Sequence, residues 1–221
     1  PPLSPRGGER VPKAGEGSPT SEVDFEGRYY KVEKGKLHTP FIDPVRAAPE
    51  IYISGHSEVS ERLAFARGST YLRVIDTPEK LQRTVGRVLE HGLEVCLRCC
   101  VIVRPTREEA VAVAQSLLPE DESETTNEHR DDSQMYREGM AITKDKFWPN
   151  RTLWTGLVPH YGPVWTVLLG TPEEVTEALL EYKQIGVTQF IMSGWPEADE
   201  ARRFGSEVVP RVREAERAVC V

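Results

Sequence analysis

No apolar run in this chain approaches the roughly 20 residues that a membrane-spanning helix needs, and no charged-then-apolar leader pattern opens it. Positive charge is in short supply: 28 Lys and Arg stand against 35 Asp and Glu, a net charge of −7. Without a basic stripe, a nucleic-acid backbone is a poor partner. Cysteine is scarce and badly placed for cross-linking. Three of the four, Cys96, Cys99 and Cys100, crowd into one apolar stretch, and Cys220 lies far away. That is no disulfide framework, so a reducing cytoplasm is the expected location. A zinc site at Cys96-x-x-Cys99-Cys100 fails for want of a second ligand pair, so no metal is expected. What remains is 221 residues, 38% hydrophobic and 29% charged, enough for a globular domain with a sizeable core.

Residues 1–23, rich in Pro, Gly, Ser and charge, are expected to form a flexible leader. The domain is expected over 24–221. Phe25–Val32 alternates like a hairpin arm, and prolines 40, 44 and 49 punctuate the loop after it. Four strand–helix pairs then follow. Ile51–Ile53 leads to a helix over Glu58–Arg67, and Ser69–Val74 to a helix from Thr77-Pro78 to about His91, stopped by Gly92. Val95–Val103 leads to a helix from Thr106 to about Leu118. Gln189–Gly194 leads to a single helix from Glu197 to about Arg217. Thr171 starts a further helix ended by Gly186. Glu120–Asp132, with seven acids and no apolar side chain, reads as a solvated segment inside an insertion over about 119–165. Residues 133–165 read as irregular and aromatic-bearing. The pattern is α/β with a parallel sheet, and ligands belong at the loops after strand C-termini.

Two places carry candidate chemistry. In PEIYISGHS, Pro49–Ser57, a short strand ends in a glycine turn and opens a helix whose N-cap is Ser57. Such a turn presents unpaired N–H groups and the positive end of a dipole, a natural seat for phosphate. Ser54, Gly55, His56 and Ser57 are its residues. The plain alternative is a capped turn with no ligand. On the third strand, Cys96, Arg98, Cys100 and Ile102 share one face. An arginine among apolar neighbours needs an anion or a water-filled lumen, unless it reaches solvent or a structural carboxylate.

Six motifs in order, FEGRYYKV, PEIYISGHS, LRCCVIVRPTREEA, TLWTGLV, LLGTPEEV and FIMSGWPEADEARRF, resemble the bacterial luciferase-like flavin-dependent monooxygenases, in particular the alkanesulfonate monooxygenase branch. The resemblance covers about residues 24–210. It implies a (β/α)8 TIM-type barrel truncated to strands five to eight, with a hairpin before strand five and an insertion before the last strand. It further implies reduced FMN, supplied by a partner flavin reductase, activating O2 for insertion next to a substrate heteroatom. Gly55, His56 and Ser57 match the family's phosphate turn, and Arg98 matches an arginine that points into the barrel. Other positions depart: Cys100 stands where sulfonate-oxidising relatives carry histidine, Trp195 where they carry tyrosine, Val74 for a tryptophan and Tyr161 for a loop arginine. The expected catalytic set is Arg98, Cys100 and Trp195. The expected partners are a small-molecule substrate, the reductase, and a second copy or a complementing half-barrel, with no nucleic acid and no membrane. Two other readings are a non-catalytic flavin-binding or interaction protein and a deazaflavin-dependent oxidoreductase.

Overall fold

The computed structural model describes residues 22–36, 49–120, 133–143, 147–195 and 197–219. Residues 1–21 of the leader, the loop prolines 40 and 44 and nearly all of the acidic segment lie outside the described residues. The chain divides into two units, Pro1–Ile51 and Tyr52–Val221. In the first, β1 (Val23–Glu26) and β2 (Lys31–Gly35) pair antiparallel, with Phe25 opposite Val32 and Glu26 opposite Lys31. This is the hairpin that the alternation predicts.

The second unit is built on β3 (Tyr52–Ser54), β4 (Thr70–Val74), β5 (Glu94–Val103) and β8 (Gln189–Ser193), all parallel. β4 lies between β3 and β5. The backbone of β5 fixes where the others go. Arg98 and Cys100 are two residues apart, so their peptide groups face the same edge. The Arg98 carbonyl accepts from Ile75 N just past β4, and Cys100 N donates to Thr166 O. β7 (Val167–Gly170) therefore continues the β4 edge beyond the end of β4, while β8 takes the opposite edge. Sequence reasoning misses β7 and the two-residue β6 (Leu153–Trp154), which pairs antiparallel with it. Both are too short to show a period.

Helices cover one face: α1 (Glu58–Arg67), α2 (Pro78–Glu90), α6 (Pro172–Gln184), α7 (Glu197–Glu207) and α8 (Val209–Val219), whereas α3 (Arg107–Ser116) packs Ala110 and Ala114 with Cys100 and Ile102 of the opposite face. Their starts follow the sequence rules. Ser57, Thr106 and Thr171 each accept from the N–H three residues on, and Thr171 with Glu174 forms a complete capping box. Gly92 and Gly186, at φ 74° and 103°, end α2 and α6 in a conformation that side chains resist. The single closing helix of the sequence reading is two, because Pro210 has no N–H to offer the preceding turn. The covered face of the sheet buries Tyr71, Val95, Leu97, Cys99, Val101 and Val103 against Leu81, Val85, Val88, Leu179, Tyr182 and Val208.

The other face carries Tyr52 and Ser54, then Leu72 and Val74, then Cys96, Arg98 and Cys100, then Gln189, Ile191 and Ser193, in register across the four strands. The Tyr52 hydroxyl donates to Gln189 Oε1 across β4 and β5. In a flat sheet those strands would stand about 14 Å apart, three spacings of about 4.8 Å, with side chains parallel. Contact across the face means that the sheet is curved and this face is concave. The architecture is mixed α/β with a parallel, barrel-type sheet.

Candidate functional site

At the C-terminal ends of β3 and β4 a cavity of about 390 Å3 is lined by His56, Arg73, Asp76, Lys80 and Glu138, with Gly139 and Pro163 at its side. Glu138 arrives from α4 (Gln134–Thr143), a helix in the stretch that the sequence reads as irregular. Its start signal is ordinary: Ser133 O accepts from Arg137 N, and Ser133 Oγ accepts from Tyr136 N. Gly139 lets α4 settle on Pro163, since a Cβ there would overlap that ring.

The contacts fix the state of His56. Val74 N donates to its Nε2 at 3.3 Å, so that nitrogen carries no proton. Nδ1 then carries it and donates to Glu138 Oε2 at 2.7 Å. Arg73 Nη2 lies 3.3 Å from the same carboxylate oxygen. Burial first, and then the Arg73 guanidinium, hold His56 below its ordinary value, against the pull of Glu138. Burial pushes Glu138 up, but hydrogen bonds from His56 and Gln134 outweigh it and leave the carboxyl below its ordinary value. Neutral His56 thus has both nitrogens engaged and cannot act as a base in this arrangement. The donor to spare is Arg73 Nε, buried without a partner among the described residues.

The turn residues do other work. The Ser57 hydroxyl caps α1 through Ser60 N. Gly55, at φ 157°, places its carbonyl under the Tyr71 hydroxyl at 2.8 Å, and a Cβ there would land on the Ser60 side chain. Ser54 lies on the concave face. Of these four, His56 alone lines the cavity. The first turn of α1 still leaves the N–H groups of Glu58 and Val59 without intrahelical acceptors. They stand beside the Ser57 hydroxyl, so a phosphate fits the turn chemically.

Arg98, Cys100 and Trp195 are not gathered into that cavity. Arg98 is half-buried on the concave face, and its guanidinium has no hydrogen-bond or ion-pair partner among the described residues. Cys100 lies 3.4 Å from Ser193 Oγ; burial pushes its thiol up, more than that contact and Arg98 bring it down. It is a neutral thiol at neutral pH. Cys100 and Trp195 both border a crevice of about 10 Å3, enough for a single water. Sequence reasoning expected ligands at the loop Arg73–Thr77, which holds Arg73 and Asp76, without giving either a role, and missed Lys80 and Glu138. The apolar spacing of Met135, Gly139 and Ile142 behind Ser133 was the available signal for α4.

A curved parallel sheet with helices on its outer face and polar groups at its C-terminal end defines part of a (β/α) barrel. A family model described as luciferase-like monooxygenase matches residues 15–189, and the chain belongs to that family. Similar solved structures include a riboflavin lyase with modified FMN and riboflavin (21% identity, TM-score 0.61, 89% of this chain and 49% of that one). An EDTA monooxygenase from Chelativorans sp. BNC1 is 18% identical, with a TM-score of 0.63 over 88% of this chain and 50% of that one. A long-chain alkane monooxygenase is 17% identical, with a TM-score of 0.56 over 88% and 47%. The chain spans about half the length of these structures. Among the described residues no helix is long and apolar enough to cross a membrane.

Proposed function

We propose that the chain forms the phosphate-holding half of a monooxygenase site that uses reduced FMN and O2 on a small organic substrate such as a sulfonate. A partner reductase would deliver the FMN, and a second copy or a complementing half-barrel would supply the other walls. When bound, reduced FMN supplies the electrons and the activation of O2; the protein supplies position and exclusion of water. The observation that carries the reading is the turn at the end of β3. There the Ser57 hydroxyl caps the ten-residue α1 through Ser60 N, and the N–H groups of Glu58 and Val59 have no intrahelical acceptor at the positive end of its dipole. Arg98 would hold an anionic group on the concave face, and exposed Trp195 would form a wall of the pocket.

A flavin-binding protein without turnover is the second reading. It is favoured by the engaged nitrogens of His56 and the neutral Cys100 thiol, which leave the proposed set without a proton carrier near neutral pH. The test is titration of the purified chain with FMN, followed by flavin fluorescence, for the parent and Ser57→Asp. Aspartate caps a helix as well as serine does, so the fold is retained, but it sets a carboxylate against the phosphate. Affinity should fall about ten-fold or more. Equal binding by both proteins would place the phosphate elsewhere. The absorption spectrum of the bound cofactor distinguishes a flavin from a deazaflavin.

A further inference from the structure

The two donors that meet Glu138 belong to the sheet, and the acceptor does not. His56 Nδ1 and Arg73 Nη2 stand 3.1 Å apart, and both donate to Glu138 Oε2, at 2.7 and 3.3 Å. Two N–H donors this close need a common acceptor, and with a guanidinium as one of them an anion suits best. Each donor is fixed without help from Glu138. The His56 ring is held by Val74 N at its Nε2, and Arg73 leaves β4 opposite Leu97 of β5. Their side chains are only 9% and 15% exposed.

Glu138 is held less firmly. Its side chain is 40% exposed, and an ion pair with one partner so open to water contributes little net stability. Gly139, the one buried residue of α4, rests on Pro163. Tyr136 lies against Gly162 at the end of α5 (Val158–Tyr161), where a Cβ would overlap its hydroxyl. Neither anchor involves the carboxylate. Glu138 can therefore turn out to water while α4 stays in place, which uncovers both donors.

Beside the donors the cavity of about 390 Å3 continues between the apolar residues Val74, Ile75, Leu81 and Ile142. Lys80, in the same lining, adds a second cation, its Nζ 3.4 Å from Asp76 Oδ1. An apolar cavity of this size with a few convergent polar groups has the composition of a small-molecule site.

We propose that Arg73 and His56 form the seat for the carboxylate of a small organic acid with an apolar body, and that Glu138 occupies this seat until the acid displaces it. Two carboxylates cannot share the two donors, because like charges at that separation repel. Binding is an exchange of one carboxylate for another. The seat uses neither the Ser57 hydroxyl nor the N–H groups of Glu58 and Val59, and the inference does not rest on flavin binding.

Titration of the isotope-labelled full chain with hexanoate and with hexanamide, without FMN and followed by NMR, tests it. The probes share a tail and differ in charge. Hexanoate should bind saturably and shift the Val74 N–H, which donates to His56, with hexanamide at least about ten-fold weaker. Glu138→Gln keeps the size and helix propensity of the side chain and removes the competing charge. It should raise hexanoate affinity about ten-fold, the factor expected where the seat is filled from within for about nine-tenths of the time, and leave hexanamide unchanged. Arg73→Gln should abolish the preference for hexanoate; where that variant folds poorly, the Val74 shift in the parent and in Glu138→Gln locates the seat. No saturable binding of hexanoate to Glu138→Gln up to about 10 mM, equal affinity for the two probes, a hexanoate affinity that Glu138→Gln leaves unchanged or lowers, or shifts that bypass Val74 would each overturn the proposal.

Discussion

Glu200 offers the sharpest test of what holds the sheet end that carries the proposed site. It sits in the first turn of α7 and is 1% exposed. Its Oε1 accepts from Val103 N at 2.6 Å and its Oε2 from Arg104 Nη1 at 2.6 Å. The carboxylate thereby ties the C-terminal end of β5 to the helix that follows β8. Gly194 exists to let it in, because a Cβ at that position would overlap the Glu200 side chain. Glu200→Ala leaves a buried N–H unmatched and strands the Arg104 guanidinium, whose side chain is only 14% exposed. Removing one partner of such a pair costs about 3–5 kcal/mol. For a chain of this size each kcal/mol corresponds to about 2–4 °C, so the melting temperature should fall by roughly 6–20 °C. Glu200→Gln keeps an acceptor for Val103 N but loses the charge and puts an amide NH2 where Oε2 accepted from Arg104 Nη1. It should cost about 1–2 kcal/mol. Thermal and urea unfolding followed by circular dichroism read both. An alanine variant that melts within about 2 °C of the parent, or a glutamine variant as damaged as the alanine one, would refute the reasoning: the first would mean that the buried carboxylate contributes little net stability, the second that charge rather than the Val103 bond dominates.

Two further outcomes follow from the site. His56 has a folded value below its ordinary one, so the neutral form is the one that the fold favours. Its contribution is present in full above about pH 6.5 and is lost as pH falls through the lowered value, as the unfolded chain takes up the proton first; the non-titrating His56→Gln should flatten the parent's decline in urea stability between about pH 7 and 5, and an unchanged decline would mean that other groups drive it. With reduced FMN, oxygen and a panel of sulfonates or aldehydes, the 221-residue chain should yield hydrogen peroxide rather than oxygenated product, since Arg98 on the concave face is only half-buried and water can reach it; coupled product above background would show that association of copies closes the site.

Features set by neighbouring residues were legible in the sequence, and features set by distant pairs were not. The caps at Ser57, Thr106 and Thr171 depend on contacts spanning three residues, and the helix stops at Gly92 and Gly186 on one backbone angle each. Their signals sit within a few letters of one another. β5 was legible because both of its faces are largely apolar, giving a continuous run that no surface helix would show. By contrast, Glu138 meets His56 across 82 positions, and no period links them. The proline that splits the last helix was visible in sequence, yet the continuous amphipathic pattern around it argued the other way.

The same distinction applies to Arg98. Its alternation with Cys96 and Cys100 put it on one face of a strand, and the register of β4, β5 and β8 makes that face concave. What a concave face does with an unmatched guanidinium depends on what lies opposite. In a closed barrel the far wall would surround it, exclude water and strengthen its hold on an anion. On an open half-barrel water remains in contact, and the same cation binds weakly. The two readings of this protein therefore differ in what stands across from Arg98 rather than in Arg98 itself.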